Sequence, residues 1–357
     1  MTFLLSSYII LVVFFIFQWY SIPLYKPVFN LLIPDKISLL IAVKNESENI
    51  VSLLQSIEKQ TLSKQYFEVI IINDFSTDGT VNIVNSYAST SKLDIVLVSN
   101  NVAGKKYAIT KGIAKSKYHI IVATDADCVA LPNWLETVAH FMKEKSAKLA
   151  FGPVVIENES EGFFSAMQQI EFASLIGSGA ASWQAGMPNM CNGANIAYLK
   201  SAFYEVKGFE GNEDIASGDD EFLMHKVYAK YPKDVYFLKS AEALVATKPI
   251  KNLADFYKQR TRWASKWEHY ADWKVKAVAF YIFAVNLLQF VSYFFLPIST
   301  FLILWVARIF TEYVFLSRIL GFMRKKLHLQ AFFLLVLIYP FYVVFFALAG
   351  RIKSFAK

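Results

Sequence analysis

The sequence predicts an α/β domain with a parallel sheet, flanked by membrane-spanning helices. Two observations carry this prediction. Short apolar runs of the kind found in buried parallel strands alternate with helical patterns through the first half of the chain, and long stretches almost without charge stand near both ends. With 357 residues, of which 55% are hydrophobic, the chain can form one sizeable domain and is too apolar for an ordinary soluble one.

The N-terminal stretch Met1–Tyr20 carries no charged side chain and is long enough to cross the bilayer core. It has neither a basic leader nor a small-residue cleavage site, so residues 1–25 are predicted to be an uncleaved anchor. Lys26 and Lys36 follow it closely. By the positive-inside rule the middle of the chain then lies in the cytosol and the N-terminus outside.

Residues 276–357 are predicted to hold about three hydrophobic segments. Ala277–Phe310, with Arg308 as its single charge, is too long for one span, so two spans hinged near Pro297 are expected. Gln330–Gly350 is a further span. Counting spans places the basic C-terminus outside, against the charge rule, unless one segment is re-entrant or interfacial. The chain is thus expected to be a multi-pass membrane protein with a cytosolic catalytic domain, in the plasma or inner membrane if its source is bacterial.

The formal net charge is +7, and Lys and Arg crowd just before the second hydrophobic region. This juxtamembrane position favours anionic membrane lipids and phosphate-bearing substrates over nucleic acid. Cys128 and Cys191 are the two cysteines, and both belong to the part assigned to the cytosol, where thiols stay reduced. A disulfide framework and a cysteine-based zinc site are therefore excluded.

The α/β domain is predicted to span 35–248. Its strands are expected at Ile37–Val43, Phe67–Asn73, Leu93–Ser99, from Ile120 onward, and at Phe151–Ile156. Helical patterns separate the first four strands, and Asn45 or Ser47 is predicted to cap the first helix. Strands that alternate with helices in this way imply a right-handed parallel sheet with helices on both faces.

The fourth strand ends in two carboxylates one residue apart, Asp125 and Asp127. Open α/β sheets bind ligands beyond the carboxyl ends of their strands, and residues i and i+2 of an extended segment point to the same side. Both carboxylates can therefore converge on one hard cation that also takes phosphate oxygens. An Asp-rich loop without such a role is the alternative.

Ser217–Leu223 begins a predicted helix whose first turn holds Asp219, Asp220 and Glu221. Acidic residues favour a helix N-terminus for electrostatic reasons alone, which is the plain interpretation. Three clustered carboxylates also repel one another, which raises the pKa of at least one and suits a proton acceptor.

Gln259, Arg262 and Trp263 lie at positions i, i+3 and i+4 of a helix expected from Pro249 to Trp267, so they share one face. An amphipathic helix in the membrane interface, within 249–275, explains much of this segment. Arginine also offers a planar fork for phosphate oxygens, which favours a functional role for Arg262.

Six short sequence motifs follow one another along the chain. They are A-V-K-N-E, I-N-D-F-S-T-D-G-T, G-K-K-Y-A, D-A-D, G-D-D-E-F-L and Q-R-T-R-W. In this order, over about Ile37–Trp263, the chain resembles the family 2 glycosyltransferases with a GT-A fold. The last two motifs resemble the membrane-bound branch that includes cellulose, chitin and hyaluronan synthases and ceramide glucosyltransferase. The resemblance implies a Rossmann-like nucleotide-diphospho-sugar transferase domain with N- and C-terminal transmembrane helices.

The resemblance also implies a donor site and a cation. The implied donor-binding residues are Ala42, Asn45, Glu46, Asp74, Lys105 and Asp125. Asp74 is expected at the uracil edge, Lys105 at the diphosphate, and Asp127 on a Mg²⁺ or Mn²⁺ that Asp125 helps to bind. The plain alternatives are helix caps and turns, and a solvated helix face for Lys105 and Lys106.

On the acceptor side, the second acid of the G-[ED]-D motif is the base in the family, and Asp220 matches it. Arg262 is implied near the diphosphate and Trp263 near the acceptor sugar, with Gln259 in the same motif. Gly193, in C-N-G-A-N-I-A-Y, matches the segment that borders donor sugar and acceptor, and a tight turn is its alternative.

The leading hypothesis is an inverting transfer of a sugar from a UDP-sugar to a lipid or glycan acceptor at the cytosolic face. Single transfer to a lipid is favoured over a processive polysaccharide synthase, since the hydrophobic segments are few for a private channel. Two further possibilities are a membrane nucleotidyltransferase, which would release pyrophosphate, and a scaffold or transporter that binds nucleotide without catalysis.

Overall fold

The computed structural model describes residues 1–29, 34–157, 162–215, 217–266 and 273–355, with side chains as far as Arg351. The chain divides into two compact units. The first, here called the sheet unit, contains Pro23–Val155 and Met190–Lys248. The second, the helical unit, contains Met1–Ile22, Ile156–Asn189 and Pro249–Lys357. Within the predicted domain 35–248, residues 156–189 group with the helical unit.

The strands are β1 (Ile37–Val43), β2 (Phe67–Asn73), β3 (Ile95–Ser99), β4 (Ile120–Asp125), β5 (Cys128–Ala130), β6 (Leu149–Phe151), β7 (Val154–Ile156), β8 (Ile196–Leu199), β9 (Val235–Phe237) and β10 (Val245–Thr247). The helices are α1 (Thr2–Ser21), α2 (Ile50–Glu58), α3 (Thr80–Thr90), α4 (Lys105–Lys115), α5 (Trp134–Glu144), α6 (Phe163–Gln184), α7 (Lys200–Glu205), α8 (Asp219–Lys230), α9 (Leu253–Ala264), α10 (Trp273–Phe295), α11 (Ile298–Phe322) and α12 (Leu329–Phe355).

The sheet unit is built on a seven-stranded sheet with the order β3-β2-β1-β4-β8-β6-β9. β1 to β4 are parallel, as predicted, and β8 runs antiparallel beside β4. β1 and β4 are almost wholly buried, which explains their nearly continuous apolar sequences. A Cβ on Gly112 of α4 would lie 2.7 Å from Ile72 Cδ1, so this glycine lets the helix pack closely on the sheet.

The single strand predicted for Phe151–Ile156 is wrong. Two short strands, β6 and β7, occupy this segment and belong to different sheets, the second being the three-stranded sheet β5-β10-β7. Gly152 and Pro153 separate them, and proline has no N–H for a strand ladder. A Cβ on Gly152 would also lie 2.4 Å from Asn195 Nδ2, so the amide of Asn195 occupies the space beside the break.

The helical unit contains the long apolar helices. Among the described residues, four helical segments are long and apolar enough to cross a membrane: α1, α10, α11 and Leu329–Arg351 of α12. Pro297 is the N-cap of α11 and separates it from α10, which confirms the predicted hinge. Pro340 lies inside α12.

Helix α6 was not predicted from the sequence. It packs against α1, α11 and α12, and a Cβ on Gly177 would lie 1.8 Å from Ile319 Cδ1 of α11, so the two helices approach closely there. Helix α9 is shorter than the expected helix from Pro249. The expected end at Trp267 lies outside the described residues, as do all of residues 267–272 of the predicted interface segment 249–275.

Candidate active site

The two aspartates of the D-x-D motif lie at the carboxyl end of β4, in the sheet unit. Asp125 is the last residue of β4 and lies opposite Ala42 of β1 in the parallel register. Asp127 precedes β5, and the Thr247 hydroxyl of the paired strand β10 donates to its Oδ2 at 3.1 Å. Burial and the neighbouring Asp125 carboxylate raise the pKa of Asp127, because both disfavour its charged form.

Lys105, the first residue of α4, joins two of the acidic motifs. Its Nζ lies 2.6 Å from Asp125 Oδ1 and 3.3 Å from Asp219 Oδ2. Burial by itself would lower the pKa of Lys105, but the carboxylates of Asp125 and Asp219 hold that pKa well above its usual value. The ammonium group of Lys105 thus partly neutralises the acidic cluster. The expectation of simple repulsion among the carboxylates did not include this lysine.

Asp220 stands in the first turn of α8 and is held by two backbone donors. Gly193 N–H donates to Oδ2 at 2.7 Å, and Glu221 N–H donates to Oδ1 at 2.8 Å. Hydrogen bonds of this kind stabilise the carboxylate form. A Cβ on Gly193 would lie 3.5 Å from Asp220 Oδ2, so the two predicted residues are direct neighbours.

The loop after β1 is tied to the loop after β2 by polar contacts. Asn45 Oδ1 accepts from Thr77 N–H at 2.8 Å, and Glu46 N–H donates to Thr80 Oγ1 at 2.8 Å. The predicted cap of α2 by Asn45 or Ser47 is wrong: Asn49 is the N-cap residue, because Asn45 turns away with φ 57° and its side chain is used in the loop contact. Burial, and then the charges of Asp127 and Asp125, raise the pKa of Glu46.

Asp74 is 6% exposed, and its carboxylate is engaged within the protein. Gly104 N–H lies 2.9 Å from Oδ1 and 3.1 Å from Oδ2, and Asn100 Nδ2 donates to Oδ1 at 2.8 Å. These bonds fix the turn that leads into α4, where Gly104 has φ 133°. Asp74 thus has a structural role, and its contact with a base stays a prediction.

A solvated helix face was the plain alternative for Lys106, and the structure contradicts it. The side chain is 4% exposed, and its Nζ donates to the backbone carbonyls of Asn212 and Ile215, the latter at 2.8 Å. It also lies 5.2 Å from the centre of the Phe222 ring. Lys106 thereby ties α4 to the segment before Asp219 and Asp220. The position of Lys106 beside Lys105 in the sequence gave no indication that its ammonium group would bind carbonyls far along the chain.

Gln259, Arg262 and Trp263 belong to the helical unit, on α9. The Arg262 side chain is exposed, whereas its neighbour Arg260 is 4% exposed and forms an ion pair with Glu171 of α6. Sequence analysis singled out neither Arg260 nor Glu171. Glu171 is the single charged residue in α6, and a lone carboxylate in an apolar helix is a signal that a buried partner exists.

The D-x-D residues fit a divalent cation that is shared with a diphosphate. Mg²⁺ is usually held by one or two carboxylates together with substrate phosphates and water. Asp125 and Asp127 are both partly exposed, and the pKa of Asp127 is raised first by burial and then by the Asp125 carboxylate, both of which a bound cation would offset. Within the described part of the chain, no group of three or more His, Cys, Asp or Glu side chains is arranged to hold a metal. The two carboxylates therefore suit a cation whose coordination is completed by substrate phosphates and water.

Comparisons with known proteins support the family resemblance. The family model described as glycosyl transferase family 2 matches residues 38–207. The poly-beta-1,6-N-acetyl-D-glucosamine synthase of Staphylococcus epidermidis is 30% identical over an alignment of 239 residues, and the match covers 64% of this chain and 54% of that protein. Glycosyltransferase GlyG of Streptococcus pneumoniae is 26% identical over 210 residues, or 57% of this chain and 68% of that protein. The chain spans about half the length of the synthases it matches.

Among solved structures, the fold is similar to that of mannosyltransferase PcManGT from Pyrobaculum calidifontis, determined in complex with GDP-Man and Mn²⁺. The TM-score is 0.59 at 16% identity, over 99% of this chain and 97% of that one. At this identity the likeness concerns the fold, and it supports the predicted GT-A architecture.

Proposed function

We propose that the chain is a family 2 glycosyltransferase that moves a sugar from a UDP-sugar to a lipid or glycan acceptor, with inversion at the anomeric carbon, and the match of residues 38–207 to the family model supports this. The observation that carries the proposal is the pair of contacts made by Lys105. It joins the D-x-D motif to the G-D-D motif, which are about ninety residues apart in sequence, at the carboxyl end of the parallel strands. Ligands of open α/β sheets bind at this end.

Each candidate site residue of the sheet unit has a role in the proposed reaction. Ala42, Asn45, Glu46 and Asp74 border the nucleotide, Asp125 lies toward the nucleotide and its ribose, and Lys105 lies toward the diphosphate. Asp125 and Asp127 hold Mg²⁺ or Mn²⁺, and such a cation, when bound, offsets the charge on the leaving nucleoside diphosphate. Asp220 accepts the proton of the acceptor hydroxyl, with its carboxylate oriented by the N–H groups of Gly193 and Glu221.

The membrane arrangement is part of the proposal. Residues 1–25 form an anchor, the α/β domain within 35–248 faces the cytosol, 249–275 lies at the interface, and 276–357 returns the chain to the membrane. The four long apolar helices support a multi-pass protein in contact with membrane lipids. A membrane acceptor, such as a lipid or a lipid-attached glycan, would then be presented at the cytosolic face.

A second candidate function is processive polysaccharide synthesis. The observation in its favour is that the relatives with 30% and 28% identity are named poly-beta-1,6-N-acetyl-D-glucosamine synthases. The two candidates share the donor, the cation and the base, and they differ in the product. One sugar per acceptor indicates single transfer, and a ladder of lengths indicates a synthase.

The function is tested with membranes or nanodiscs that contain the full chain, incubated with a panel of UDP-sugars with and without lipid extract and chelator. We expect release of UDP that depends on acceptor and cation, with a glycosylated product visible by mass spectrometry. Release of pyrophosphate would instead indicate nucleotidyl transfer. Nucleotide binding without turnover of any donor would leave only the scaffold.

Arg262→Ala and Trp263→Ala are expected to impair transfer more than UDP binding. The family resemblance assigns these side chains to the diphosphate and the acceptor sugar, where bonds form mainly in the transition state. Loss of a charge-assisted bond of this kind costs about 1.5–3 kcal/mol, or about one to two decades in rate. The measurements are turnover and UDP affinity in nanodiscs.

Leu253→Ala is the matched control for these two variants, because Leu253 is 71% exposed at the start of the same helix. It should change membrane association at most. If Arg262→Ala and Trp263→Ala behave like Leu253→Ala and transfer normally once bound to membranes, α9 is an interface helix and nothing more.

A further inference from the structure

Arg260 lies inside the Q-x-x-R-W motif without being one of its defining residues, and it contacts two that are. Its Nη1 donates to the side-chain oxygen of Gln259, and its guanidinium carbon lies 4.4 Å from the centre of the Trp263 ring. An arginine that stacks on an indole ring while it donates to an amide oxygen restricts the rotamers of both partners. Arg260 therefore sets the side-chain geometry of Gln259 and Trp263.

Arg260 is in turn fixed by residues from two other helices of the same unit. Its Nη2 lies 2.5 Å from Glu171 Oε2, and its Nε lies 3.0 Å from Glu171 Oε1, which is a bidentate pair. The Tyr342 hydroxyl of α12 donates to Glu171, and its oxygen lies 3.0 Å from Arg260 Nε. The next residue of α6, Phe172, packs on Trp263 with ring centres 6.3 Å apart. Residues 171–172 of α6 thus support both Arg260 and Trp263.

Stability alone is a poor explanation for this cluster. Arg260 is 4% exposed and Glu171 is 6% exposed, so both ions have lost most of their hydration. Replacing a buried ion pair by well-packed apolar residues is often neutral or stabilising, whereas removing one partner is costly. Apolar residues would hold α9 against α6 and α12 equally well. What a bidentate pair adds is one fixed position and orientation for the guanidinium.

We propose that Glu171 and Arg260 are positioning residues for the transfer reaction, acting through Gln259 and Trp263, with Tyr342 completing the hydrogen bonds of the carboxylate. This inference rests on the proposed function, since it needs the motif on α9 to serve the reaction. The task of the cluster is to hold Gln259 and Trp263 in one geometry before substrate binds. A small misplacement of groups that orient a substrate can cost about 10²-fold in rate.

The test compares Glu171→Gln, Arg260→Lys and Tyr342→Phe with the parent protein in nanodiscs. We expect Glu171→Gln and Arg260→Lys to lower transfer about 10–100-fold, with UDP affinity within about threefold of the parent. Arg260→Lys keeps the charge and loses the fork and the stacking, so its failure to sustain transfer would show that geometry matters and not charge alone. Tyr342→Phe removes one hydroxyl and should have the smallest effect of the three.

A merely structural role is separated from positioning by a double-mutant cycle. If Glu171 acts through Trp263, Glu171→Gln should cost little in a Trp263→Ala background, whereas independent effects would add. Should Glu171→Gln lose UDP binding through misfolding, Tyr342→Phe takes its place in the cycle. Additive losses in the cycle, or transfer at the parental rate in both Glu171→Gln and Arg260→Lys, would overturn the inference.

The control is Glu157→Gln, which removes another ion pair of the helical unit. Glu157 Oε2 lies 2.5 Å from Lys325 Nζ, and these side chains are 34% and 25% exposed, so solvent can replace the lost contact. Its transfer rate should match the parent within error. Failure of the parent protein to transfer any sugar would refute the proposed function, whereas an active parent with unaffected variants would refute the positioning role alone.

Discussion

Asp127→Ala is expected to abolish transfer while the protein stays folded in the membrane, and EDTA is expected to do the same to the parent protein. Asp127 is one of two carboxylates at the end of β4, and its pKa is raised by burial and by Asp125. A cation bound there would relieve this concentration of charge and meet the diphosphate oxygens. The measurement is turnover across a Mg²⁺ and Mn²⁺ titration, in the parent and in the variant.

The same carboxylate gives the pH dependence its direction. A cation binds the ionised form, so protons compete with it, and the raised pKa moves this competition to a higher pH than for an ordinary aspartate. The cation concentration needed for half-maximal turnover should therefore rise as the pH is lowered. Asp94→Asn is the control. Asp94 pairs with Lys117 at 2.8 Å just before β3, at the amino ends of the parallel strands, whereas Asp127 lies at their carboxyl ends. Undiminished turnover in EDTA would refute the cation site.

The parallel core was predictable because its signal is local. β1 and β2 have the predicted bounds, since a strand buried on both faces is apolar at nearly every position, and such runs are visible without knowledge of their partners. The buried exceptions, Ser38 and Glu68, are hydrogen-bonded to each other. The separation of α10 from α11 was predictable for the same reason, as proline at residue 297 acts on its own backbone. The split between β6 and β7 had a local signal in Pro153, which was not used, whereas the membership of the two strands in different sheets depends on partners that are distant in sequence.

The candidate site likewise has features that local sequence predicts and features that depend on tertiary contacts. Motif spacing was enough to single out Asp125 and Asp220 as acidic candidates, but the contacts that link their motifs run through Lys105, whose partners lie far along the chain. Lys106 looked like a solvated residue because its carbonyl acceptors come from the segment before α8. Glu171, the lone charge in α6, signals a buried partner, but only the tertiary structure identifies that partner as Arg260. Local patterns thus nominate residues, and tertiary contacts assign their electrostatic environment.

Asp220→Asn is expected to lower transfer by about 10²–10⁴-fold, the range typical of losing a general base, with UDP affinity within a few fold of the parent. Inversion requires the acceptor oxygen to attack from the face opposite the diphosphate, and this oxygen needs a proton acceptor as the bond forms. Asp125 and Asp127 are assigned to the leaving-group side and cannot serve. The measurements are single-turnover transfer and UDP binding.

The contacts of Asp220 and Asp219 determine the controls for this variant. Both oxygens of Asp220 accept from backbone N–H groups, at Gly193 and Glu221, and an asparagine can accept only one of these bonds. UDP binding is therefore the check that the site is intact. Asp219→Asn should cost much less in turnover, and because Asp219 pairs with Lys105 its effect should fall on the donor side, as a raised KM for the UDP-sugar. If the two effects are exchanged, the base is Asp219; if neither variant is slowed, the acidic turn of α8 serves only the helix dipole.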